Sequence, residues 1–262
     1  WRNEIDRGRK VSDFVNLADL APTFLEAAGV NIPQEMSARS FLDVLQAHKA
    51  GQVDPSRDFA VSYKERHSIV QANPNDIAAM RSIRQGDYLL IWNLFPDLWP
   101  LGHINPKYNP FLMPFGNVGD GRSKEALMKT MQDEESEWFE KTFLPKGVEY
   151  ELYHVQEDPD NLKNLAANPQ YTKVLAEMKE QLESYLTRTN DPRMVGGAEV
   201  FAEATYHGWQ GLASGFMPPR KFNKLNEEEK AKAMERAHEK LEENRQYLES
   251  IGWDLAEIDT IQ

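Results

Sequence analysis

One amphipathic segment, which begins at Asn168-Pro169, constrains the fold most strongly. Asparagine is a favoured N-cap and proline fits the first helical position, so a helix is expected to begin here. Apolar side chains then recur at helical spacing on one face: Val174, Leu175, Met178, Leu182, Tyr185 and Leu186. Asp191-Pro192 ends the run. Because a helix with one apolar face needs a second layer to cover it, we expect strands elsewhere in the chain to pack against it.

Four segments have strand-like composition. They are Phe59–Tyr63, Ala79–Arg84, Tyr88–Asn93 and Glu151–Val155. Gln85-Gly86-Asp87 lies between the second and the third and is a plausible hairpin turn. We therefore predict a small α+β subdomain in which a four-stranded antiparallel sheet packs against the helix.

Two further helices are expected on either side of this unit. Residues 11–29 indicate an extended entry and a short helix, with Asp19 as its N-cap and Gly29 at the left-handed position after its end. Residues Asn226–Ser250 form a long charged helix whose start is capped by Asn226. Its narrow apolar stripe predicts packing on its own domain or on a partner chain: Met234, Ala237, Leu241, Leu248 and Ile251.

Composition excludes several classes of function. A chain of 262 residues with 40% hydrophobic content can bury a real core. The net charge of −12, without a basic stripe, argues against nucleic-acid binding. No apolar run is long enough to predict a membrane span, and no signal peptide is visible. Since the chain has no cysteine, it has no disulfide framework, no thiolate metal site and no cysteine nucleophile or formylglycine precursor of that kind.

The segment Lys64-Glu65-Arg66-His67 is the best functional candidate, because it follows a predicted strand and concentrates cations beside an imidazole. A solvated charged loop with a weak ion pair is the alternative. Five cations fall within 28 residues, at Arg57, Lys64, Arg66, Arg81 and Arg84. Such a cluster is where this acidic chain would meet an anionic ligand.

Two more residues are candidates for ligand contact. Arg81 and Arg84 are three apart on a strand and point to opposite faces, so at most one serves a site. A guanidinium suits a sulfate or a carboxylate, and a structural ion pair is the alternative for Arg81. Trp99 offers a face on which a sugar ring would stack, with core packing as the alternative. No segment supplies a converging set of oxygen ligands for a metal, and Glu157-Asp158-Pro159-Asp160 is typical of a turn.

The order and spacing of these motifs resemble the C-terminal part of a sulfatase. The resemblance covers roughly residues 8 to 195 and is nearest to the branch of heparan N-sulfatase and related bacterial glycan sulfatases. The segments that carry it are Leu17–Gly29, Tyr63–His67, Met80–Asn93, Trp99-Pro100, Glu151–Leu165 and Thr189–Arg193.

This resemblance implies an alkaline-phosphatase-like α/β fold. Residues 1–45 would end the large α/β domain, 46–195 would form the small subdomain, and 196–262 would be an extension. The formylglycine nucleophile and a calcium or magnesium site would lie in an N-terminal portion that is missing here, so this chain holds no catalytic residue or metal ligand and is inactive alone. Lys64, Glu65, Arg66, His67, Arg81 and Trp99 would contact the substrate.

The reaction implied is hydrolysis of a sulfate ester or sulfamate on a glycan, in a periplasmic or secreted enzyme. The partners would be the N-terminal portion and the sulfated glycan. Two alternatives stay open: a non-catalytic binding or scaffold module derived from the subdomain, and part of a related phosphodiesterase or phosphonate hydrolase. Against the module, the helix in residues 11–29 would expose its apolar face if it stood without the large domain.

Overall fold

A four-stranded antiparallel sheet, covered by one helix, lies at the centre of the fold. The computed structural model describes residues 4–65, 78–102, 114–119, 121–130, 147–197, 200–201 and 224–250. The strands are β1 (Phe59–Lys64), β2 (Met80–Gln85), β3 (Tyr88–Asn93) and β4 (Tyr150–His154), in the spatial order β1-β2-β3-β4. The sheet confirms the predicted strands, each within one residue of its expected bounds.

A two-residue turn joins β2 to β3. Gly86 has φ +52°, a left-handed conformation that glycine adopts without strain, and the predicted hairpin is confirmed. Strand β4 pairs antiparallel with β3, so that Tyr88 lies opposite His154 and Trp92 lies opposite Tyr150. The pairing of β3 with β4 is long-range, since more than fifty residues separate the two strands in the sequence.

The described helices are α1 (Leu20–Ala27), α2 (Leu42–Gln46), α3 (Arg122–Lys129), α4 (Thr172–Arg188), α5 (Pro192–Gly196) and α6 (Glu227–Ser250), with short 3₁₀ turns at Leu17–Asp19 and Pro169–Tyr171. Asn168 caps the second of these turns by accepting a hydrogen bond from the backbone N–H of Gln170 at 3.1 Å. The described helices include none with the length and apolar character needed to cross a membrane.

The main core lies between the sheet and α4. Its buried side chains are Ile83, Leu90, Leu152, Leu165, Met178, Leu182 and Leu186. Helix α4 contributes its predicted apolar face, while Val174, Leu175 and Tyr185 pack at the margin. The amphipathic pattern therefore identifies correctly which side of this helix is covered.

The chain divides into two compact units. One is drawn from Trp1–Tyr63, Arg81–Trp92 and Tyr150–Val195, and the other from Lys64–Met80, Asn93–Glu149 and Gly196–Gln262. Each unit takes residues from separate stretches of sequence. The boundaries expected after residues 45 and 195 stay predictions.

The second unit has a small core of its own. Phe115, Met128 and Leu248 are fully buried together, and Lys124 donates to the carbonyl oxygen of Phe115 at 3.1 Å. Leu248 therefore packs within its own unit, as one of the two interpretations of the stripe on α6 predicts. Met234 is exposed, while Ile251 and the side chains of Ala237 and Leu241 lie outside the described residues.

The start of α1 differs from the prediction. Asp19 precedes the helix, but its side chain makes no capping hydrogen bond to it. The carboxylate instead accepts from the backbone N–H of Asn16 at 3.1 Å and from the guanidinium of Arg57 at 2.9 Å. The carboxylate of Asp19 therefore pairs with the buried Arg57 instead of capping the backbone N–H groups at the start of α1. At the other end, Gly29 has φ +70° and ends the helix as predicted.

Candidate functional site

Lys64 and Trp99-Pro100, two of the segments expected to contact a substrate, lie together. Lys64 ends β1, and its ammonium group donates to the carbonyl oxygen of Pro100 at 2.6 Å. Burial lowers the pKa of Lys64 below its ordinary value, because the charged form loses hydration. The contact holds the end of β1 against the segment that carries Trp99.

Glu65 follows directly and is partly buried. It is the last described residue of the predicted loop. Arg66 and His67 lie outside the described residues, so the expected cation and imidazole of this loop stay predictions. The structure therefore gives the surroundings of Lys64 and Glu65, the first half of this motif, and leaves the predicted roles of Arg66 and His67 untested.

Trp99 packs inside the second unit. Its ring meets that of Phe115 edge to face, with centroids 6.3 Å apart, at the border of the small core. These are the contacts of the core-packing alternative. Stacking of a sugar on Trp99 stays a prediction, and any exposed part of the indole would have to provide the surface.

Arg81 forms a buried ion pair. Its Nε and Nη2 donate to the two carboxylate oxygens of Asp191 at 2.8 Å and 3.1 Å, and the residue is 2% exposed. A planar guanidinium matches a carboxylate in this two-bond arrangement. These contacts are those of the structural ion pair that was the alternative for Arg81. Its low exposure disfavours direct contact with a ligand.

The other described cations of the predicted cluster also have partners within the protein. Arg84 donates to the carbonyl oxygens of Gly86 and Tyr88, and its guanidinium lies 5.8 Å from the centre of the Phe14 ring. Arg57 pairs with Asp19. Although these arginines are close in sequence, each donates its hydrogen bonds to protein oxygens, so Arg57, Arg81 and Arg84 do not form an open patch of positive charge.

The Asp19–Arg57 pair is a feature that the sequence interpretation missed. Arg57 is 2% exposed and donates to Asp19 and to the carbonyl oxygens of Arg39 and Ser40. Thr23 joins the network by accepting from the backbone N–H of Phe41 at 3.1 Å. The network ties α1 to the segment that leads into β1. The only sign of this network in the sequence was an aspartate just before an apolar helix. Its interpretation as the N-cap of α1 was wrong.

The described residues include no group of three or more His, Asp or Glu side chains arranged to hold a metal ion. Carboxylates that come close to cations are committed to protein partners instead, as Asp19 is to Arg57 and Asp191 is to Arg81. Within the described part of the chain, no residue is assigned as a ligand of calcium or magnesium.

Comparison with known proteins shows the family to which the chain belongs. The family described as N-sulphoglucosamine sulphohydrolase, C-terminal, matches residues 1–136, more than half of the 262 residues. The chain belongs to this family. The match includes α1, the first three strands and the segment from Lys64 to Trp99, and the predicted resemblance to the C-terminal part of a sulfatase is confirmed.

Individual relatives are more distant. An ulvan-active sulfatase of Formosa agariphila is 24% identical over 192 residues, covering 73% of this chain and 32% of that protein. The human N-sulphoglucosamine sulphohydrolase is 22% identical over 199 residues, covering 71% and 34%. Among solved structures, a putative sulfatase from Bacteroides thetaiotaomicron has 22% identity and a TM-score of 0.40, covering 68% of this chain and 25% of that one. The chain spans about a third of the length of the curated relatives it matches.

Proposed function

We propose that this chain is the C-terminal part of a sulfatase that hydrolyses sulfate esters or sulfamates of a glycan. The observation that carries the proposal is the family match over residues 1–136. It is supported by the order of the motifs beyond that range, since Glu151–Leu165 and Thr189–Arg193 follow the same pattern. The role of the chain is to bind and orient the sugar beside a reaction centre built elsewhere.

A sulfated glycan is the substrate class that the relatives support. One relative is named for ulvan and another for N-sulphoglucosamine, so both a polysaccharide and a sugar sulfamate occur among the names. In this chain, the contacts predicted from the sequence are Lys64, Glu65, Arg66, His67, Arg81 and Trp99, and the burial of Arg81 disfavours it as a direct contact. A cationic loop beside an aromatic residue suits an anionic sugar, because the cations meet the sulfate and the ring meets the pyranose face.

The nucleophile and the metal belong to the N-terminal portion in this proposal. Calcium or magnesium, when bound there, would supply Lewis acidity that polarises the sulfate oxygens. No residue of this chain is assigned to it. The chain alone is therefore expected to be inactive, and a periplasmic or secreted location is expected for the whole enzyme.

Exposed apolar side chains at α1 support the proposal that an N-terminal portion packs against this chain. Phe24 in α1 is 66% exposed, Leu20 one turn before it is 37% exposed, and Leu17 in the preceding 3₁₀ turn is 86% exposed. Soluble domains seldom leave neighbouring large apolar side chains open to water unless another surface covers them. The N-terminal portion of the enzyme is the proposed cover.

Release of inorganic sulfate tests the proposal. The full-length protein that contains this chain is incubated with N-sulfated glucosamine, with O-sulfated glucosamine and with an aryl phosphonate or phosphate diester, and the free anions are measured by ion chromatography. We expect sulfate from at least one sugar, loss of activity with a chelator, and none from the 262-residue chain alone.

Two results would overturn the assignment. Cleavage of the phosphorus substrate without sulfate release would indicate the phosphodiesterase or phosphonate hydrolase alternative. Binding of the sulfated sugars with no hydrolysis, together with peptide mapping that finds no formylglycine, would indicate a binding module.

A further inference from the structure

Tyr63 is an exposed aromatic ring that the protein fixes from one side. It lies near the end of β1 and is 75% exposed. The guanidinium carbon of Arg81 lies 5.6 Å from the centre of its ring. This distance is within the range of a cation–π contact, so one side of the ring has a defined partner.

That partner is itself held in place. Arg81 donates two hydrogen bonds to Asp191, and Asp191 also accepts from the backbone N–H of Arg193 at 3.0 Å. Asp191 therefore joins the segment after α4 to strand β2. Because Arg81 is fixed by these bonds, its guanidinium also restricts the position of the Tyr63 ring. A side chain supported in this way loses less conformational entropy when it binds a ligand.

The position of the ring follows from strand alternation. Phe59, Val61 and Tyr63 point to one side of β1, and the first two pack against the core formed with α4. Tyr63 continues that row to a position where its ring is largely open to water. The same alternation that fills the core therefore presents an aromatic side chain at the end of the row.

We propose that Tyr63 stacks against a sugar ring of the glycan and that Arg81 and Asp191 position it. This inference rests on the proposed function and changes one of its details, because it replaces Arg81 as a direct ligand by the tyrosine in front of it. Tyrosine suits the role, since its flat apolar face matches the C–H face of a pyranose.

A single sugar residue fits this surface better than a protein partner does. Tyr63 is exposed, while the other members of its row on β1, Phe59 and Val61, are partly buried against the core, so the apolar surface that this row leaves open is a single ring. A stable protein interface needs about 800 Å² on each partner, with apolar residues at its centre. One fixed ring is instead the arrangement expected for carbohydrate.

The test compares Tyr63→Ala with Tyr63→Phe in the full-length protein. The substrates are an N-sulfated heparin disaccharide and 4-nitrophenyl sulfate, which has no sugar ring. We expect Tyr63→Ala to raise KM for the disaccharide about three- to tenfold, the range expected from loss of a ring contact. Tyr63→Phe should restore the wild-type KM, and the loss with 4-nitrophenyl sulfate should be smaller than with the disaccharide.

Arg81→Met tests the positioning role. It should raise KM for the disaccharide with little change in kcat, and adding it to Tyr63→Ala should give no further increase, because both changes remove the same ordered ring. Additive effects would contradict positioning. If Arg81→Met fails to fold, Tyr63→Ala and Tyr63→Phe still decide whether the ring binds sugar.

A binding measurement separates failure of this inference from failure of the proposed function. The Kd of the heparin disaccharide is measured by calorimetry for wild type and Tyr63→Ala, whether or not the wild type hydrolyses it. A weaker Kd in Tyr63→Ala supports the contact. An equal Kd, or an equal KM where hydrolysis occurs, overturns it while leaving the sulfatase assignment intact.

Discussion

At the residue scale, Arg57 and Arg81 illustrate how this acidic chain uses cations inside its fold. Each guanidinium is 2% exposed and lies against a buried or nearly buried aspartate, Asp19 for Arg57 and Asp191 for Arg81, and Asp54 also comes within 3.7 Å of Arg57. Charges taken out of water are tolerated only when they are paired and hydrogen-bonded, so each arginine depends on its partner. The Asp19–Arg57 pair holds the segment that leads into β1, and the Arg81–Asp191 pair holds the segment that follows α4.

Replacing Asp19 by asparagine should therefore destabilise the chain strongly. Asp19→Asn removes the carboxylate charge 2.9 Å from the buried Arg57 guanidinium and leaves it only the more exposed carboxylate of Asp54, 3.7 Å away. We expect a loss of about 3 kcal/mol in the free energy of unfolding, measured by urea denaturation. Asp6→Asn is the matched control, because Asp6 pairs with His48 at the surface. It should change stability by less than about 0.5 kcal/mol. Equal effects would mean that the Arg57 pair is not buried in solution.

Lys64 gives a pH-dependent prediction. Burial lowers its pKa below the ordinary value of 10.5, so between the lowered pKa and 10.5 the folded chain binds fewer protons than the unfolded chain. Stability contributed by Lys64 must therefore rise with pH across this window. The difference in unfolding free energy between wild type and Lys64→Met, which cannot titrate there, should increase from neutral pH toward 10.5. A flat or falling difference would contradict burial of the ammonium group.

At the element scale, the apolar face of α4 is the main support of the sheet. Leu182 is 1% exposed and lies among the sheet residues of the core. Leu182→Ala removes buried methyl groups and leaves a cavity, so it should cost about 2–5 kcal/mol in urea unfolding. Leu17→Ala is the matched control in the isolated chain, since Leu17 is 86% exposed, and its cost should stay under about 0.5 kcal/mol. Similar costs would mean that α4 does not cover the sheet.

The elements are also what the sequence predicts best. Periodicity, caps and turns are local, which is why the bounds of β3 and the hairpin at Gly86 agree with the structure. The partner of a side chain is not local. Asp19 meets Arg57 across 38 residues and Arg81 meets Asp191 across 110, and these distances in sequence carry no periodic signal. The interpretation of Asp19 as a cap failed for this reason.

The candidate site shows the same contrast. The sequence predicts that Lys64 and Trp99 contact a substrate, and in the structure Lys64 donates a hydrogen bond to the carbonyl oxygen of Pro100, the residue after Trp99. The sequence does not indicate that Tyr63 is the exposed ring and Arg81 the buried support, because composition alone does not say which of two neighbouring side chains reaches solvent. Burial has to be known before an arginine can be assigned to a ligand or to an ion pair.

At the scale of the whole molecule, the exposed apolar face at α1 is the surface on which we propose that the N-terminal portion packs. Leu20 and Phe24 belong to α1, Leu17 precedes them in the 3₁₀ turn, and Phe24 is 66% exposed. If the N-terminal portion covers this face, the same side chain is free in one context and buried in the other. The energetic effect of a substitution here should then depend on the context in which it is measured.

Phe24→Ala should show this dependence. In the isolated 262-residue chain it removes an exposed ring and should leave Tm nearly unchanged. In the full-length protein it creates a cavity at the covered face, where loss of a buried phenylalanine costs about 3–5 kcal/mol, and Tm should fall clearly. Leu182→Ala is the control, since its site is buried within this chain and Tm should fall in both contexts. Were Phe24→Ala neutral in the full-length protein as well, the face of α1 would be open to water there, and the proposed packing of the N-terminal portion against it would be wrong.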